Sequence, residues 1–155
     1  MSIARAALAL AALAAMSAPA LAIDVSEKMD SAQAPAAVWA KVGDFCGIAK
    51  WHPAVKGCTL SAKDGASFRL LDLGGGASVL EKLVSRDDAK MTYTYQIVEG
   101  ALPVQNYTST LSVAANGAGS TILWTGKFDA KGAPDDKAAE LISGIYKAGQ
   151  AALAK

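Results

Sequence analysis

The sequence predicts an α+β fold in which a seven-stranded antiparallel sheet curls around a long C-terminal helix, with two short helices between strands 1 and 2. Seven segments after residue 22 alternate apolar with polar residues, as strands buried on one face do. Short turns separate the last six, so successive strands are expected to pair antiparallel. The final segment has helical periodicity, and this helix must cover the apolar face of the sheet.

The predicted elements follow in a simple order. After a strand over 23–31, Pro35 begins a helix that Gly43 ends, since proline suits the first helical turn. A short helical turn from Asp44 stops at Pro53. The other predicted strands cover 55–62, 67–73, 77–85, 91–98, 104–114 and 120–128. The final helix begins near Pro134 and has an apolar stripe of Ala138, Leu141, Ile142, Ile145, Gly149, Ala152 and Leu153.

The composition excludes some classes of function. The chain has 155 residues, with 15 Lys+Arg against 14 Asp+Glu. This balance leaves no excess positive charge for a nucleic-acid backbone, so no nucleic-acid partner is expected. The length is that of one domain. The hydrophobic fraction of 52% is high because residues 1–22 are almost entirely apolar.

Residues 1–22 have the pattern of a secretory signal peptide. Arg5 precedes an apolar run over residues 6–16, and small residues follow at alternate positions. We expect cleavage after Ala22, or as a second choice after Ala20, and a periplasmic or secreted mature protein. An uncleaved anchor helix is less favoured because the run is shorter than the ~20 residues of a membrane span. No other such run follows, so residues 23–155 are expected to form one domain without a membrane span.

Cys46 and Cys58 are the two cysteines of the chain, and an oxidising compartment favours a disulfide between them. Such a bridge would close a short loop and stabilise the fold by roughly 2 to 3 kcal/mol. Two free thiols are the alternative. A zinc site is not expected, because no other cysteine or carboxylate cluster accompanies the pair.

Polar residues fall on the apparent inner faces of the strands. If the triple-glycine segment before residue 77 is a hairpin loop, Arg69 lies directly across from Glu81 among apolar neighbours. If the next turn sets Arg86 opposite Lys90, Tyr95 lies beside Glu81 and Tyr93 is on the same surface. A buried charged pair there could orient a polar ligand group or stiffen the wall. A register slip of one residue would instead turn all four side chains to solvent.

The final helix has small residues where a filled core would need large ones. These are Gly144, Ala148, Gly149 and Ala152. They either leave space for a cavity or allow the helix to pack closely on the sheet. The polar residues on the inner strand faces favour the cavity.

Several segments carry a family resemblance when taken in order. They include Trp51-His52-Pro53, with further segments at 42–45, 81–83, 93–97, 102–107 and 144–149. In these segments the chain resembles the polyketide cyclase/dehydrase-type branch of the SRPBCC superfamily, which includes START lipid-transfer domains and the birch-pollen allergens. The resemblance covers essentially the whole predicted mature chain.

The resemblance implies the helix-grip fold, with an elongated cavity between the sheet and the C-terminal helix. Members commonly bind hydrophobic or amphipathic small molecules, and some are cyclases or hydrolases. The leading hypothesis is therefore an exported protein that holds a lipid-like or polyketide-like ligand. The candidate ligand-binding residues are Trp51, His52, Arg69, Glu81, Tyr93, Tyr95, Tyr107 and Trp124.

Two alternatives remain open. Secreted relatives include accessory proteins of periplasmic methanol oxidation, which implies a possible periplasmic redox or envelope partner, bound through a surface near Ile48 and Trp51. A cyclase- or hydrolase-type reaction is less favoured, because His52 is the one histidine and has no adjacent partner. No catalytic residue is assigned, although His52 or Glu81 could transfer a proton. No cofactor is expected, since the glycines at 74–76 lack the rest of a phosphate-binding loop.

Overall fold

The structure is a computed structural model and describes residues 22–155, so the predicted signal peptide lies outside the described residues except for Ala22. It confirms the predicted fold class. Seven strands form one antiparallel sheet in the order β1-β7-β6-β5-β4-β3-β2. The elements are β1 (Ile23–Ser31), α1 (Pro35–Val42), α2 (Ile48–Trp51), β2 (Gly57–Lys63), β3 (Ala66–Gly74), β4 (Ala77–Asp87), β5 (Thr92–Gly100), β6 (Val104–Asn116), β7 (Gly119–Ala130) and α3 (Asp135–Leu153).

The strands follow the sequence predictions closely. Strand β1 coincides with its predicted range, and each end of β2 to β7 lies within two residues of the predicted bound. Positive φ angles at Gly65 and Gly117 allow two of the tight turns that set these bounds. Within residues 22–155, no helix combines the length and the apolar character needed to cross a membrane.

Helix α1 closes one end of the molecule through contacts with the β4–β5 turn. Its Trp39 is buried, and the indole Nε1 donates to Asp88 Oδ1 at 2.9 Å. Arg86 Nη2 donates to the same carboxylate at 2.7 Å and to the carbonyl oxygen of Gly43 at 2.8 Å. Gly43 has a φ of +67°, which ends the helix as the sequence predicts.

Helix α3 lies along the concave face of the sheet, but its buried stripe differs from the predicted one. Leu141, predicted to face the sheet, is 43% exposed, whereas Tyr146 and Gln150 are fully buried. Gln150 Nε2 donates to the carbonyl oxygens of Glu27 and Ile122 at 2.7 and 3.1 Å. The Tyr146 hydroxyl and Gln150 Nε2 can be buried because they find hydrogen-bond partners on the sheet, whereas Gln150 Oε1 is buried without a partner among residues 22–155.

The disulfide between Cys46 and Cys58 is confirmed, with the two Cα atoms 5.6 Å apart. It joins the loop before α2 to the second residue of β2. The bridge therefore fixes the α2 segment to the edge of the sheet, next to the residues that surround the cavity described below.

The pairing of β3 with β4 sets Arg69 directly opposite Glu81, as predicted. The predicted pairing of β4 with β5 is wrong. Glu81 lies opposite Ile97, and Tyr93 lies opposite Arg86. The turn closes with Asp87 opposite Thr92 instead of Arg86 opposite Lys90, so the pairing is already displaced where β5 begins. Irregularities after Leu83 and between Leu80 and Glu81 then change the register again along the strands. Tyr93 and Tyr95 nevertheless remain on the buried face.

Candidate functional site

A cavity of about 60 Å³ lies between the concave face of the sheet, α3 and the loop after α2. Strands β3 to β7 supply most of its wall, because alternate residues of each strand point to the concave face. Apolar side chains dominate the lining, and one carboxylate interrupts them. The lining residues are Ile48, His52, Ala54, Val55, Leu71, Leu73, Val79, Glu81, Tyr95, Ile97, Leu102, Tyr107, Trp124, Ile142 and Ile145.

The carboxylate in the wall belongs to Glu81 and is paired with a buried arginine. Arg69 Nε donates to Glu81 Oε2 at 2.5 Å, and the two side chains are 1% and 7% exposed. Such a pair is tolerated away from water only with good geometry and further hydrogen bonds. Burial raises the pKa of Glu81, and the neighbouring Arg69 guanidinium only partly offsets this effect.

The guanidinium of Arg69 lies behind Glu81, in an aromatic setting. Nη1 donates to the carbonyl oxygen of Phe45 at 2.5 Å, and Cζ lies 4.1 Å from the centroid of the Phe45 ring. Cζ is also 5.0 Å from the Tyr95 ring centroid and 5.8 Å from that of Tyr93. These contacts let the cation stay charged when buried. The remaining nitrogen, Nη2, is buried and has no hydrogen-bond partner among the described residues.

His52 joins the loop after α2 to helix α3. Its Nδ1 accepts the backbone N–H of Ala54 at 3.2 Å, so Nε2 carries the proton and donates to the carbonyl oxygen of Ile145 at 3.0 Å. Burial lowers the pKa of His52. Both ring nitrogens are thus used by backbone groups in the neutral form, which positions the loop and leaves neither nitrogen free for a substrate.

A chain of hydroxyl groups lies at the end of the cavity formed by β5, β6 and β7. Ser109 Oγ donates to the carbonyl oxygen of Thr125 at 2.7 Å, so it can only accept from Tyr146, whose hydroxyl is 3.0 Å away. Tyr146 in turn accepts from Tyr107, with the two oxygens 2.5 Å apart. The direction of each donor from Tyr107 onward is therefore fixed by the carbonyl at the end of the chain.

Trp124 donates its indole N–H to this chain of hydroxyl groups. Its Nε1 donates to Ser109 Oγ at 3.0 Å and to the Tyr95 hydroxyl at 3.2 Å. Its ring stacks on that of Tyr146, with centroids 4.7 Å apart and planes 6° from parallel. Burial raises the pKa of Tyr146 to about 12, so the phenol is protonated at neutral pH. The hydroxyls are neutral donors and acceptors, committed mostly to one another.

The structure brings five of the eight predicted ligand-binding residues to the cavity wall and sets three apart from it. His52, Glu81, Tyr95, Tyr107 and Trp124 line the cavity. Arg69 lies behind Glu81. Tyr93 packs against the rings of Trp39 and Phe45, with centroids 6.2 and 6.1 Å away. Trp51 is partly buried, with its ring centroid 5.7 Å from that of His52 and 6.0 Å from that of Trp124. Its Nε1 donates to the carbonyl oxygen of Val42 at 3.3 Å.

Sequence reasoning missed several residues that shape this region. Tyr146 and Ser109 complete the hydroxyl chain, and neither was a candidate. Tyr146 reaches the sheet because Gly126 has no side chain; a Cβ there would overlap the Tyr146 hydroxyl. The pairing of a strand glycine with a helix tyrosine is a signal that only the three-dimensional alignment of β7 and α3 makes visible.

The small residues of α3 do not create the cavity. Gly144 is exposed, and a Cβ there would meet open space. A Cβ on Gly149 would lie 2.6 Å from Trp124 and 2.7 Å from His52. At Gly149 the small residue therefore allows close packing of α3 on Trp124 and His52 and leaves no space for a cavity. Across residues 22–155, no three His, Cys, Asp or Glu side chains are grouped so as to hold a metal ion.

Comparisons with known proteins agree with this geometry. The family described as "Polyketide cyclase / dehydrase and lipid transport" matches residues 22–155. The protein XoxI from Bacillus cereus is 30% identical, with a TM-score of 0.79 over 84% of this chain and 92% of that chain. An uncharacterised protein from Bacillus thuringiensis is 28% identical, with a TM-score of 0.77 over 85% of this chain and 96% of that one.

A more distant structure shows the fold alone. Ara h 8.0201 is 24% identical, with a TM-score of 0.64 over 85% of this chain and 97% of that chain. A search of curated protein sequences finds no match. The expected resemblance is confirmed by the family match over the whole described region, together with the sheet, the two short helices and the long C-terminal helix. The chain belongs to the polyketide cyclase/dehydrase and lipid transport family of the SRPBCC superfamily and has its helix-grip fold.

Proposed function

We propose that the protein is an exported binding protein that holds a hydrophobic or amphipathic small molecule, lipid-like or polyketide-like, in the cavity between the sheet and α3. One observation carries the proposal: an almost wholly apolar cavity contains a single ion-paired carboxylate, that of Glu81. Ligand pockets commonly combine apolar walls with a few placed polar groups. The family match supports the same class of function.

The size of the cavity implies that it widens when a ligand binds. At about 60 Å³ it is far smaller than the ~300–1,000 Å³ typical of ligand pockets. Its rim consists of the exposed Ala54 and the partly buried Leu73, Ile97, Leu102 and Ile145. These side chains belong to separate loops and strands, and α3, so they can part without breaking a strand pair. In the proposal, the ligand passes between them.

Export forms the second half of the proposal. Residues 1–22 have the composition of a signal peptide, and the disulfide between Cys46 and Cys58 suits an oxidising compartment. Both features support a periplasmic or secreted mature protein that begins at Ile23. Cell fractionation and the intact mass of the exported chain test this part directly.

Native mass spectrometry tests the binding function. The exported protein is purified without detergent, its native mass is compared with its denatured mass, and any extracted molecule is identified. A stoichiometric apolar or amphipathic molecule is the expected result. A bare protein mass, with no uptake when membrane lipid extract is added, would contradict the proposal.

Two tryptophan substitutions at alanine positions test whether the bound molecule occupies this cavity. Ala54 is exposed at the rim, so Ala54→Trp is expected to block the opening and abolish the added mass. Ala115 is also exposed, lies near the C-terminal end of β6 outside the cavity lining, and serves as the control. Ala115→Trp should retain the ligand. Retention by both variants would place the molecule outside this cavity.

A role as an accessory protein for a periplasmic partner is the second candidate. The surface near Trp51 favours it, because Lys41, Lys50 and Lys155 surround this partly buried ring in a shallow depression. Ile48 does not belong to such a surface, since it is only 4% exposed. An acidic partner would suit the lysines. Lys41→Glu with Lys50→Glu should abolish capture of that partner and leave cavity binding intact.

A further inference from the structure

We propose that the cavity selects ligands that carry a neutral hydrogen-bond donor, such as an alcohol or phenol hydroxyl, and rejects carboxylates. This inference rests on the proposed binding function and names the chemical class of its ligand. It follows from counting which polar side-chain atoms at the cavity wall are already used and which remain free.

The free acceptor is one oxygen of Glu81. Arg69 donates to Oε2, and no hydrogen bond from residues 22–155 reaches Oε1. Oε1 is not fully buried and keeps some accessible surface. Glu81 also lines the cavity. A ligand donor placed there would form a hydrogen bond to a charged acceptor, which is stronger than a neutral one.

Three of the side-chain donors at the same wall are already committed. His52 donates to the carbonyl oxygen of Ile145, and Trp124 donates to Ser109 and Tyr95. The proton of Tyr107 points to Tyr146, because the chain of hydroxyls ends at a carbonyl oxygen.

Tyr95 and Arg69 differ from these three donors. The Tyr95 hydroxyl accepts the indole N–H of Trp124 at 3.2 Å, and no hydrogen bond to residues 22–155 uses its own proton. Arg69 Nη2 has no partner, but it is buried and Arg69 does not line the cavity. The wall thus offers a charged acceptor at Glu81, and the side-chain donor that it leaves uncommitted, that of Tyr95, is a neutral hydroxyl.

The charges favour the same class of ligand. The Arg69–Glu81 pair has no net charge, so a bound carboxylate would bring an uncompensated negative charge into an apolar cavity beside Glu81. A hydroxyl satisfies Oε1 without adding charge. An ether of the same size can only accept hydrogen bonds, so it would leave Oε1 unsatisfied.

Three six-carbon probes separate these possibilities. Hexan-1-ol and 1-methoxypentane are isomers that differ in having or lacking a donor, and hexanoate carries the charge. Binding of each to the mature protein is measured by calorimetry at pH 8, where hexanoate is ionised. We expect hexan-1-ol to bind about tenfold or more tightly than either competitor, the factor of one charge-assisted hydrogen bond.

A double variant tests whether the preference for the alcohol depends on the Arg69–Glu81 ion pair. Arg69→Met with Glu81→Leu removes the acceptor together with its partner, which avoids leaving one buried charge unpaired. This folded variant should bind the alcohol and the ether equally. Equal binding by the wild-type protein, or tighter binding of hexanoate, would overturn the inference and leave the proposed function standing. If none of the three probes bound at millimolar concentration, both would be overturned.

Discussion

The Nε2 atom of His52 lies 3.0 Å from the carbonyl oxygen of Ile145, and this contact fastens the loop after α2 to helix α3. It is possible because Gly149, one turn further along the helix, has no side chain; a Cβ would lie 2.7 Å from His52 Cδ2. Both His52 and Ile145 line the cavity. The same contact therefore joins the loop to the helix and positions part of the cavity wall.

The two glycines of α3 should respond oppositely to alanine. Gly149→Ala places a methyl group against Trp124 and His52, and we expect a net loss of about 1–2 kcal/mol in unfolding free energy. Gly144→Ala adds a methyl group in open space and should stabilise the helix by about 1 kcal/mol. Urea unfolding of both variants measures the contrast. Equal effects at the two positions would show that Gly149 is not closely packed.

The buried imidazole makes stability depend on pH. Burial holds the pKa of His52 below its ordinary value of 6.5, so the unfolded chain takes up a proton at a pH where the folded chain does not. The stabilisation is complete above about 6.5 and is lost progressively as the pH falls below that value. His52→Gln keeps a donor for Ile145 but does not titrate. Comparing urea unfolding of the two proteins between pH 7 and 5 should show a steeper decline for the wild type, and parallel curves would refute this origin.

Removing one member of the Arg69–Glu81 pair should cost far more than removing both. Arg69→Met or Glu81→Leu alone leaves a buried charge without its partner, and a loss of about 3–5 kcal/mol is expected for each. The double variant should lose much less than the sum. A double-mutant cycle from denaturant unfolding measures the coupling, and additive losses would mean that the pair does not act as a unit.

The disulfide should contribute to stability through its short loop. Reduction of Cys46–Cys58, or Cys46→Ala with Cys58→Ala, is expected to lower the unfolding free energy by about 2–3 kcal/mol. The chain has two cysteines, so the double variant is an internal control. Reductant should shift the unfolding midpoint of the wild type and leave that of the double variant unchanged; a shift in both would point to a different cause.

The sequence was sufficient to predict the fold and the Arg69–Glu81 pairing. Alternating polarity and glycine turns locate strands, and a short hairpin fixes which residues face each other. It was not sufficient for the β4–β5 register, because the turn is one residue longer than the predicted loop and two irregularities change the pairing again along the strands. Gly126 and Tyr146 lie far apart in the chain, so no local pattern reveals their contact. Of the predicted binding residues, Arg69 shows the limit most clearly, since an inward-facing position did not make it part of the wall.

The most direct test of the account is where a ligand binds, measured by methyl NMR with hexan-1-ol as the probe. Leu71, Val79 and Ile142 line the cavity, whereas Val84, Leu123 and Leu141 are exposed apolar residues that serve as controls. The account predicts saturable shift changes and intermolecular contacts at the first set and none at the second. Contacts confined to exposed methyl groups, with the cavity signals unmoved, would contradict a binding function for this cavity.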